Sequence, residues 1–339
     1  MKKIFFLIYF IAFCTNISIA ANFNIPDGLE YNANIGNPES QFKLGKLYYN
    51  HIVHHNYEKE AEIWLKKASD QNHILATGLL SVLKSRQKRK NEAAELYNSI
   101  AESLWAGANT GKPEYQVLIG LMYGHGIGLK QNIKIATQWY ARAAESGNVD
   151  GQYYLAYRYK NGDGVPKDLE KAFLWYMKAA KQNDFRAQVS VGIAYSKGQG
   201  IKKSLKESAN WYYRAALQGY SWGQHNLAYA IENGQGIPQN AMEAVQWYQK
   251  AALQGNIFAL NNLANCYRYG RGVHKDIEKA ISLYLISANK GNSKSQYNLG
   301  QLYGNGFGVK QDIQKAIDWY QKAAKQGHKD AQKSIEWLQ

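Results

Sequence analysis

The chain has 339 residues, a formal net charge of +15 at pH 7 and only two cysteines. The first cysteine lies in a segment that the sequence predicts to be removed, so the mature chain would keep Cys266 alone, and an intramolecular disulfide is excluded. The positive charge favours acidic partners, such as an acidic protein face, anionic lipid headgroups or anionic envelope polymers. Many exported proteins are simply basic, which would explain the charge without any such partner.

The first twenty residues predict a secretory signal peptide. Two lysines precede an apolar run over residues 4–14, and the small residues at 18–20 suit cleavage before Ala21. The run is too short to span a bilayer as a helix, which takes about 20 residues. We therefore expect an exported protein, periplasmic or secreted, with no transmembrane anchor. In that compartment nucleic acid is not an expected partner, although the charge would suit it.

Residues 21–113 predict two irregular helix pairs and a connecting segment. Leu44, Gly45 and Tyr48 keep the spacing of one helix, and Ala61 and Trp64 keep that of a second, without glycines in the turn between them. A further irregular unit fits the sequence up to Tyr97, and the segment that follows it joins the regular array. Irregular end units are expected in repeat proteins, because the outermost unit must present a polar face to water.

Three histidines lie in the turn of the first unit. His51, His54 and His55 could bind a metal ion through their imidazoles. No second group of Cys, Asp or Glu accompanies them in suitable register, and histidines in loops are usually only polar. The sequence therefore predicts no metal site.

From residue 114 to 329 one pattern returns every 36 residues. A Trp-Tyr pair, replaced once by Leu-Tyr, recurs at Trp139-Tyr140, Trp175-Tyr176, Trp211-Tyr212, Trp247-Tyr248, Leu283-Tyr284 and Trp319-Tyr320. Paired glycines recur at Gly126/Gly128, Gly162/Gly164, Gly198/Gly200, Gly234/Gly236, Gly270/Gly272 and Gly306/Gly308. Small residues fill the column Gly120, Ala156, Gly192, Ala228, Ala264 and Gly300, where two helices must approach closely. A fixed period of this size is typical of a solenoid, whose units bury their apolar faces only against their neighbours.

One unit reads as a helix, a glycine turn and a second helix. The paired glycines permit the left-handed turn that ends the first helix, and Gly234 is expected to have a positive φ. The second helix starts at a capping column of Asn132, Asp168, Ser204, Asn240, Asp276 and Asp312. The Trp-Tyr column then packs the stack of units, and we expect its Trp side chains to be buried.

The sequence thus predicts an all-α fold, a right-handed α/α superhelical solenoid of about eight helix-pair repeats. In chain order it comprises a signal peptide (1–20), irregular repeats with their connecting segment (21–113), six regular repeats (114–329) and a C-terminal capping helix (330–339).

These motifs resemble the Sel-one-like repeat, a relative of the tetratricopeptide repeat with a slightly longer unit. The last unit carries the family pattern as Leu299-Gly300-x-x-Tyr303, Gly306-x-Gly308-Val309, Asp312 and Trp319-Tyr320-x-Lys322-Ala323-Ala324-x-x-Gly327. The resemblance is strong over 114–338 and weak over 39–100. It implies a bacterial envelope or secreted protein, in some members one that takes part in host interaction. A family branch with regularly spaced cysteines is credited with binding or hydrolysing β-lactams, and this chain lacks those cysteines.

By resemblance to the tetratricopeptide groove, the first helices line the concave wall of the solenoid. The wall columns are the residue before each first helix and positions three, seven, ten and eleven further along. They supply the candidate partner-binding residues Tyr153, Tyr157, Arg186, Trp222, His225, Tyr229, Phe258, Asn261, Arg268, Tyr269 and Tyr297. Aromatic residues and Arg carry most of the binding energy at protein interfaces. An extended peptide or a glycan would suit this wall, while a family rich in Tyr would show such a surface without any ligand.

The sequence contains no set of nucleophile, base and orienting group, so it predicts neither an enzyme nor a cofactor. The leading hypothesis is a non-catalytic exported scaffold that binds another protein through its concave face, in an envelope function or in host interaction. The alternative is binding of peptidoglycan or another envelope polymer, or regulation of an enzyme that acts on the cell wall.

Overall fold

The computed structural model describes residues 23–51 and 55–338, so the signal peptide prediction lies outside the described residues. This part of the chain contains eighteen α-helices and no strand. None of these helices is long and apolar enough to cross a membrane.

Sixteen of the helices form eight consecutive pairs, which we number repeats one to eight. In chain order the helices are α1 (Leu29–Asn34), α2 (Pro38–Asn50), α3 (His55–Ser69), α4 (Ile74–Arg86), α5 (Lys90–Asn109), α6 (Pro113–His125), α7 (Ile133–Glu145), α8 (Val149–Asn161), α9 (Leu169–Lys181), α10 (Phe185–Lys197), α11 (Leu205–Leu217), α12 (Ser221–Glu232), α13 (Ala241–Leu253), α14 (Ile257–Tyr269), α15 (Ile277–Asn289), α16 (Ser293–Asn305), α17 (Ile313–Ala324) and α18 (Lys329–Leu338). Repeat one is α2 with α3 and repeat eight is α16 with α17, while α1 and α18 flank the array. The predicted solenoid of about eight helix pairs is confirmed.

The second helix of each regular repeat begins at a capped residue. The side chains of Asn132, Asp168, Ser204, Asn240, Asp276 and Asp312 each accept a hydrogen bond from the backbone N–H three residues further on. Each of these bonds satisfies one of the N–H groups that a helix start leaves without an intrahelical partner. The capping column therefore fixes where every second helix begins.

The small-residue column exists because a tyrosine ring lies against it. A methyl group added to Gly120 would come within 2.5 Å of the ring of Tyr140, and the same holds for Gly192 with Tyr212. Tyr248 is fully buried, whereas Trp247 is only partly buried, with Lys250 Nζ 4.2 Å from the centre of its ring. The expectation that the Trp of each Trp-Tyr pair is buried holds for Trp139 and Trp211. It is wrong for Trp247, where the Tyr fills the core and the Trp lies at its edge under a cation.

The second glycine of each pair seats one repeat on the previous one. Gly234 and Gly236 have positive φ angles of 64° and 75°, as the sequence predicts for Gly234. A methyl group on Gly236 would lie 2.2 Å from the carbonyl oxygen of Leu205 in the preceding repeat, whereas on Gly234 it would meet nothing closer than 3.5 Å.

Gly236→Ala should therefore destabilise the protein more than Gly234→Ala. We expect a loss of about 1 kcal/mol for Gly234→Ala, the cost of a left-handed non-glycine residue. For Gly236→Ala we expect roughly 3 kcal/mol, because the steric overlap with the neighbouring backbone adds to that cost. Urea denaturation followed by circular dichroism measures both losses. Equal losses would contradict this account of how the repeats stack.

The solenoid curves with its first helices inside. Four of the seven neighbouring pairs of first helices contact one another, namely α2 with α4, α4 with α6, α6 with α8 and α10 with α12. Among the described residues, neighbouring second helices make no contact of this extent. Because the inner wall of a curved stack is the shorter one, elements on it lie closer together. The wall columns of the first helices therefore face the inside of the curve.

Candidate interaction surface

The curve is tight enough for repeat one to contact repeats four and five across the concave face. Lys46 Nζ on α2 lies 2.5 Å from Asp150 Oδ2 on α8. Asn50 Oδ1, one turn further along α2, accepts a hydrogen bond of 2.9 Å from Arg186 on α10. All four residues belong to first helices. The inner wall of repeat one therefore faces the inner wall of repeats four and five directly.

The concave face of repeats one to four is consequently closed. The first helices of repeats one to four enclose a cavity of only about 40 Å³, which has room for one or two water molecules. Its lining comprises Phe42, Lys46, Tyr49, Asn50, Leu75, Leu79, Glu114, Val117, Leu118, Leu121, Asp150 and Tyr154. No peptide or sugar fits there while this contact is in place.

Arg186 is not the free recognition residue that the sequence suggests. Its side chain is buried, at 8% exposure, and its guanidinium pairs with Asp184 at 2.5 Å and with Asp150 at 2.6 Å. The two cations Lys46 and Arg186 together hold the pKa of Asp150 well below its usual range, despite the opposing effect of burial. A charged side chain this buried needs such partners. Because its guanidinium is bonded to Asp150 and Asp184, Arg186 is not available to bind a partner protein.

The other two candidates in repeat four have different surroundings. Tyr153 lies under the guanidinium of Arg186, whose central carbon is 4.4 Å from the centre of the ring. Tyr157 is exposed. The structure therefore leaves one of the three candidates in repeats four and five open to a partner.

Most of the remaining candidates lie on an open wall in repeats six to eight. Tyr229, Phe258 and Tyr269 are exposed, and Trp222 is partly buried against the core. The rings of Trp222 and Phe258 are 5.2 Å apart, which makes an aromatic contact between repeats six and seven. Trp222 thus helps to hold adjacent repeats together, contrary to a purely surface role, while the exposed side chain of Tyr229 extends from the wall.

A polar network underlies this aromatic row. His225 Nδ1 lies 3.1 Å from Asn226 Oδ1, and its Nε2 lies 3.3 Å from Asn262 Nδ2. These partners fit a neutral imidazole with the proton on Nδ1. Burial lowers the pKa of His225 to about 4, which keeps the ring neutral near pH 7. Asn262 also donates to the hydroxyl of Tyr248, which donates in turn to Glu232 at 2.8 Å.

Three further candidates contribute mainly to the wall itself. Asn261 is buried, and its Oδ1 accepts hydrogen bonds from Ser295 at 3.0 Å and Asn298 at 3.1 Å in the next repeat. Asn261 therefore joins repeats seven and eight and is not open to a partner, which corrects its assignment. Arg268 donates to Gln301 across the same pair of repeats at 3.3 Å. Tyr297 stacks on the ring of His328 at 4.5 Å.

Trp337 is a wall residue that the sequence analysis did not predict. Trp337 on α18 is 90% exposed and lines a shallow pocket with Tyr297, Asn305 and Tyr320. It stands 36 residues after Gln301, in the same wall column as Tyr229. The sequence interpretation took this segment only as a cap, although the unbroken period could have identified Trp337 as a wall residue. The helix packs on repeat eight through Ala331 and Ile335.

Only one of the three histidines in the turn of repeat one is described with its side chain. His51 is buried among aromatic rings, while His54 and the side chain of His55 lie outside the described residues. Within residues 23–51 and 55–338 no group of three or more His, Cys, Asp or Glu is placed to hold a metal ion. Cys266 is buried, and burial raises the pKa of its thiol to about 12, so it is an unreactive core residue.

The family model for the Sel1 repeat matches the chain seven times. The matches are residues 38–73, 113–148, 149–184, 186–220, 223–256, 257–292 and 293–328. The chain belongs to the Sel1 repeat family. Repeat two, over α4 and α5, lies between the first two matches.

Solved structures of this family share the fold. A Sel1 repeat protein from Oxalobacter formigenes is 31% identical, with a TM-score of 0.64, over 73% of this chain and 96% of that one. A protective antigen of uropathogenic Escherichia coli strains, which displays an SLR fold, is also 31% identical, with a TM-score of 0.59, over 92% of this chain and 67% of that one. A comparison with curated proteins gave no match. Sel1 repeat proteins in general are non-catalytic scaffolds for protein interaction.

Proposed function

We propose that the protein is an exported, non-catalytic scaffold that binds an extended segment of another protein along the concave wall of repeats six to eight. The observation that carries this proposal is the aromatic row on that wall. Tyr229, Phe258 and Tyr269 are exposed on first helices, although the apolar residues of each helix that the fold needs are already buried behind them. Large aromatics held on rigid helices are the residue type that dominates binding energy at protein interfaces.

The polar residues of the same wall suit a peptide main chain. Asn265, Arg268 and Gln301 stand in wall columns of repeats seven and eight. Arg268 donates to Gln301 and Gln301 to the hydroxyl of Tyr297, and the amide and guanidinium groups have further N–H donors for carbonyl groups of a ligand. The wall lacks the large aliphatic patch that would favour an amphipathic helix as the ligand. An extended segment, with its carbonyl groups accessible along its length, is therefore the ligand class that the wall fits.

Tyr229→Ala tests the proposal, with Tyr213→Ala as its matched control. Tyr229 on α12 and Tyr213 on α11 are 47% and 46% exposed, but only Tyr229 stands on a first helix. We expect the free energy of unfolding of both variants to stay within about 0.5 kcal/mol of the wild type, as it does for most exposed substitutions. Affinity for a partner captured from envelope extract should fall by about 2 kcal/mol for Tyr229→Ala and remain unchanged for Tyr213→Ala.

The measurement is isothermal titration calorimetry with the purified partner after its identification by mass spectrometry. Equal effects of the two variants on affinity would refute the concave wall as the binding surface. Sedimentation with purified peptidoglycan, in the absence of any captured protein, would support the envelope-polymer alternative instead.

A further inference from the structure

Repeat one uses its own wall residues to cover the wall of repeats four and five. Lys46 stands in the same column of the repeat as Tyr229, and Asn50 in the same column as Asn233, when repeat one is superposed on repeat six by the 36-residue pattern. Lys46 pairs with Asp150, and Asn50 accepts from Arg186. Repeat one therefore occupies the concave face in the way that a partner would.

A buried histidine lies at the centre of this contact. The ring of His51 stacks on Phe23 at 4.0 Å and contacts Phe185 of α10 at 4.2 Å. The ring of Tyr220, just before α12, is 5.7 Å away. Nδ1 of His51 lies 2.9 Å from the carbonyl oxygen of Leu47 and donates to it. Phe185 and Tyr220 belong to repeats five and six, so opening the contact would expose one face of the imidazole to water.

The second ring nitrogen of His51 has no partner. Nε2 is buried and makes no hydrogen bond among the described residues. A proton placed there would be a buried positive charge without an acceptor, which is costly. The neutral ring, by contrast, has its single donor satisfied by Leu47.

Apart from the carbonyl of Leu47, the described groups around His51 offer a positive charge no compensation. From α10 the guanidinium of Arg186 repels it, and the carboxylates of Asp150 and Asp184 that could attract it are already paired with that guanidinium. From α2 the phenol of Tyr48 stays neutral, since burial raises its pKa to about 12. The rings that contact His51 among the described residues are those of Phe23, Phe185 and Tyr220, and burial also raises the pKa of Tyr220.

We propose that repeat one is a gate over the wall of repeats four and five, and that protonation of His51 in mildly acidic solution opens it. Opening uncovers Asp150, Arg186, Phe185 and Tyr220 as additional binding surface continuous with the open wall of repeats six to eight. The gate regulates the site proposed above and rests on that proposal for its biological role. Its existence as a conformational change is independent of any partner.

The direction of the pH effect follows from proton linkage. Burial, reinforced by Arg186, lowers the pKa of His51 to about 4 in the closed protein, whereas a histidine exposed by opening returns to about 6.5. The open form thus binds the proton more tightly, and the population of the closed form decreases as the pH falls below about 6.5. Each pH unit between 6.5 and 4 shifts the ratio of open to closed protein by about tenfold in favour of the open form.

The test is a distance measurement across the gate in the full chain. Spin labels on Lys43→Cys of α2 and Lys197→Cys of α10, in a Cys266→Ala background, report the distance between repeats one and five. Lys43 and Lys197 are exposed and take no part in the gate contacts described above. We expect a single short distance at pH 7.5 and a second, longer distance that grows as the pH is lowered to 5, while the helical circular dichroism is retained.

Three variants make the outcome decisive. His51→Phe keeps an aromatic ring without a titratable nitrogen, and should remain closed down to pH 5. Asp150→Asn weakens the pair with Lys46 and should populate the long distance already at pH 7.5. His225→Asn removes a partly buried histidine of the open wall and should respond to pH as the wild type does.

The same pH response in His51→Phe as in the wild type would overturn the proposal, as would a single short distance in the wild type throughout this range. If His51→Phe does not fold, amide hydrogen exchange of α10 in the wild type replaces the comparison. Its protection, corrected for intrinsic exchange, should then fall between pH 7.5 and 5 while that of α16 is retained, and parallel behaviour of the two helices would also refute the gate.

Discussion

Tyr248→Ala should destabilise the protein by about 3–5 kcal/mol, one of the two largest losses that we expect from a single substitution. The side chain of Tyr248 is fully buried between repeats six and seven. Its hydroxyl donates to Glu232 and accepts from Asn262, so truncation would leave a cavity and two polar groups without their partner. Urea denaturation monitored by circular dichroism at 222 nm gives the free energy of unfolding directly.

Trp247→Ala is the matched comparison. The neighbouring Trp247 is only partly buried, and Lys250 covers its ring from the solvent side. Truncation there removes less buried area, so the expected loss is smaller, about 1–2 kcal/mol. A loss for Trp247→Ala equal to or greater than that for Tyr248→Ala would contradict the conclusion that Tyr248, and not Trp247, fills the core of this repeat.

Arg186→Ala should cost about 3–5 kcal/mol, because it leaves the carboxylates of Asp150 and Asp184 close together without their shared cation. The exposed pair of Lys171 with Asp168 is the control. Lys171→Ala should change stability by less than about 1 kcal/mol, since solvent screens that pair. Thermal denaturation of both variants at pH 7 distinguishes a buried ion cluster from a surface one.

The stability lost in Arg186→Ala should depend on pH. In the wild type the cations hold the pKa of Asp150 below its usual value, so this pair contributes stability above about pH 4 that is lost as the pH falls further. In the variant Asp184 has lost its cation and Asp150 keeps only Lys46, so that protonation of these carboxylates costs less stability there. The difference between the two proteins should therefore shrink as the pH is lowered towards 3. A constant difference from pH 7 to pH 3 would show that Arg186 stabilises the fold by packing alone.

The sequence by itself determined the repeat architecture. The 36-residue period, the capping column and the paired glycines each act within one repeat or between neighbours, so Asp168, Gly162 and Tyr176 have the same role wherever the unit occurs. A solenoid is built from these short-range contacts, which is why the fold, the repeat number and the family all follow from the order of the residues. The sequence did not predict how deeply each aromatic side chain is buried, because the choice between Trp247 and Tyr248 as the core residue depends on where the next helix lies.

Only the tertiary structure decided which part of the concave wall is open. The contact of Lys46 with Asp150 joins residues about a hundred positions apart, and it depends on the curvature accumulated over several repeats. Small rotations at each repeat interface add up to that curvature, and no column of the sequence records their sum. Arg186 and Phe258 therefore occupy the same column of the repeat pattern, yet Arg186 is enclosed by repeat one while Phe258 stays exposed. Repeat one closes onto repeats four and five and reaches repeat six only at Tyr220.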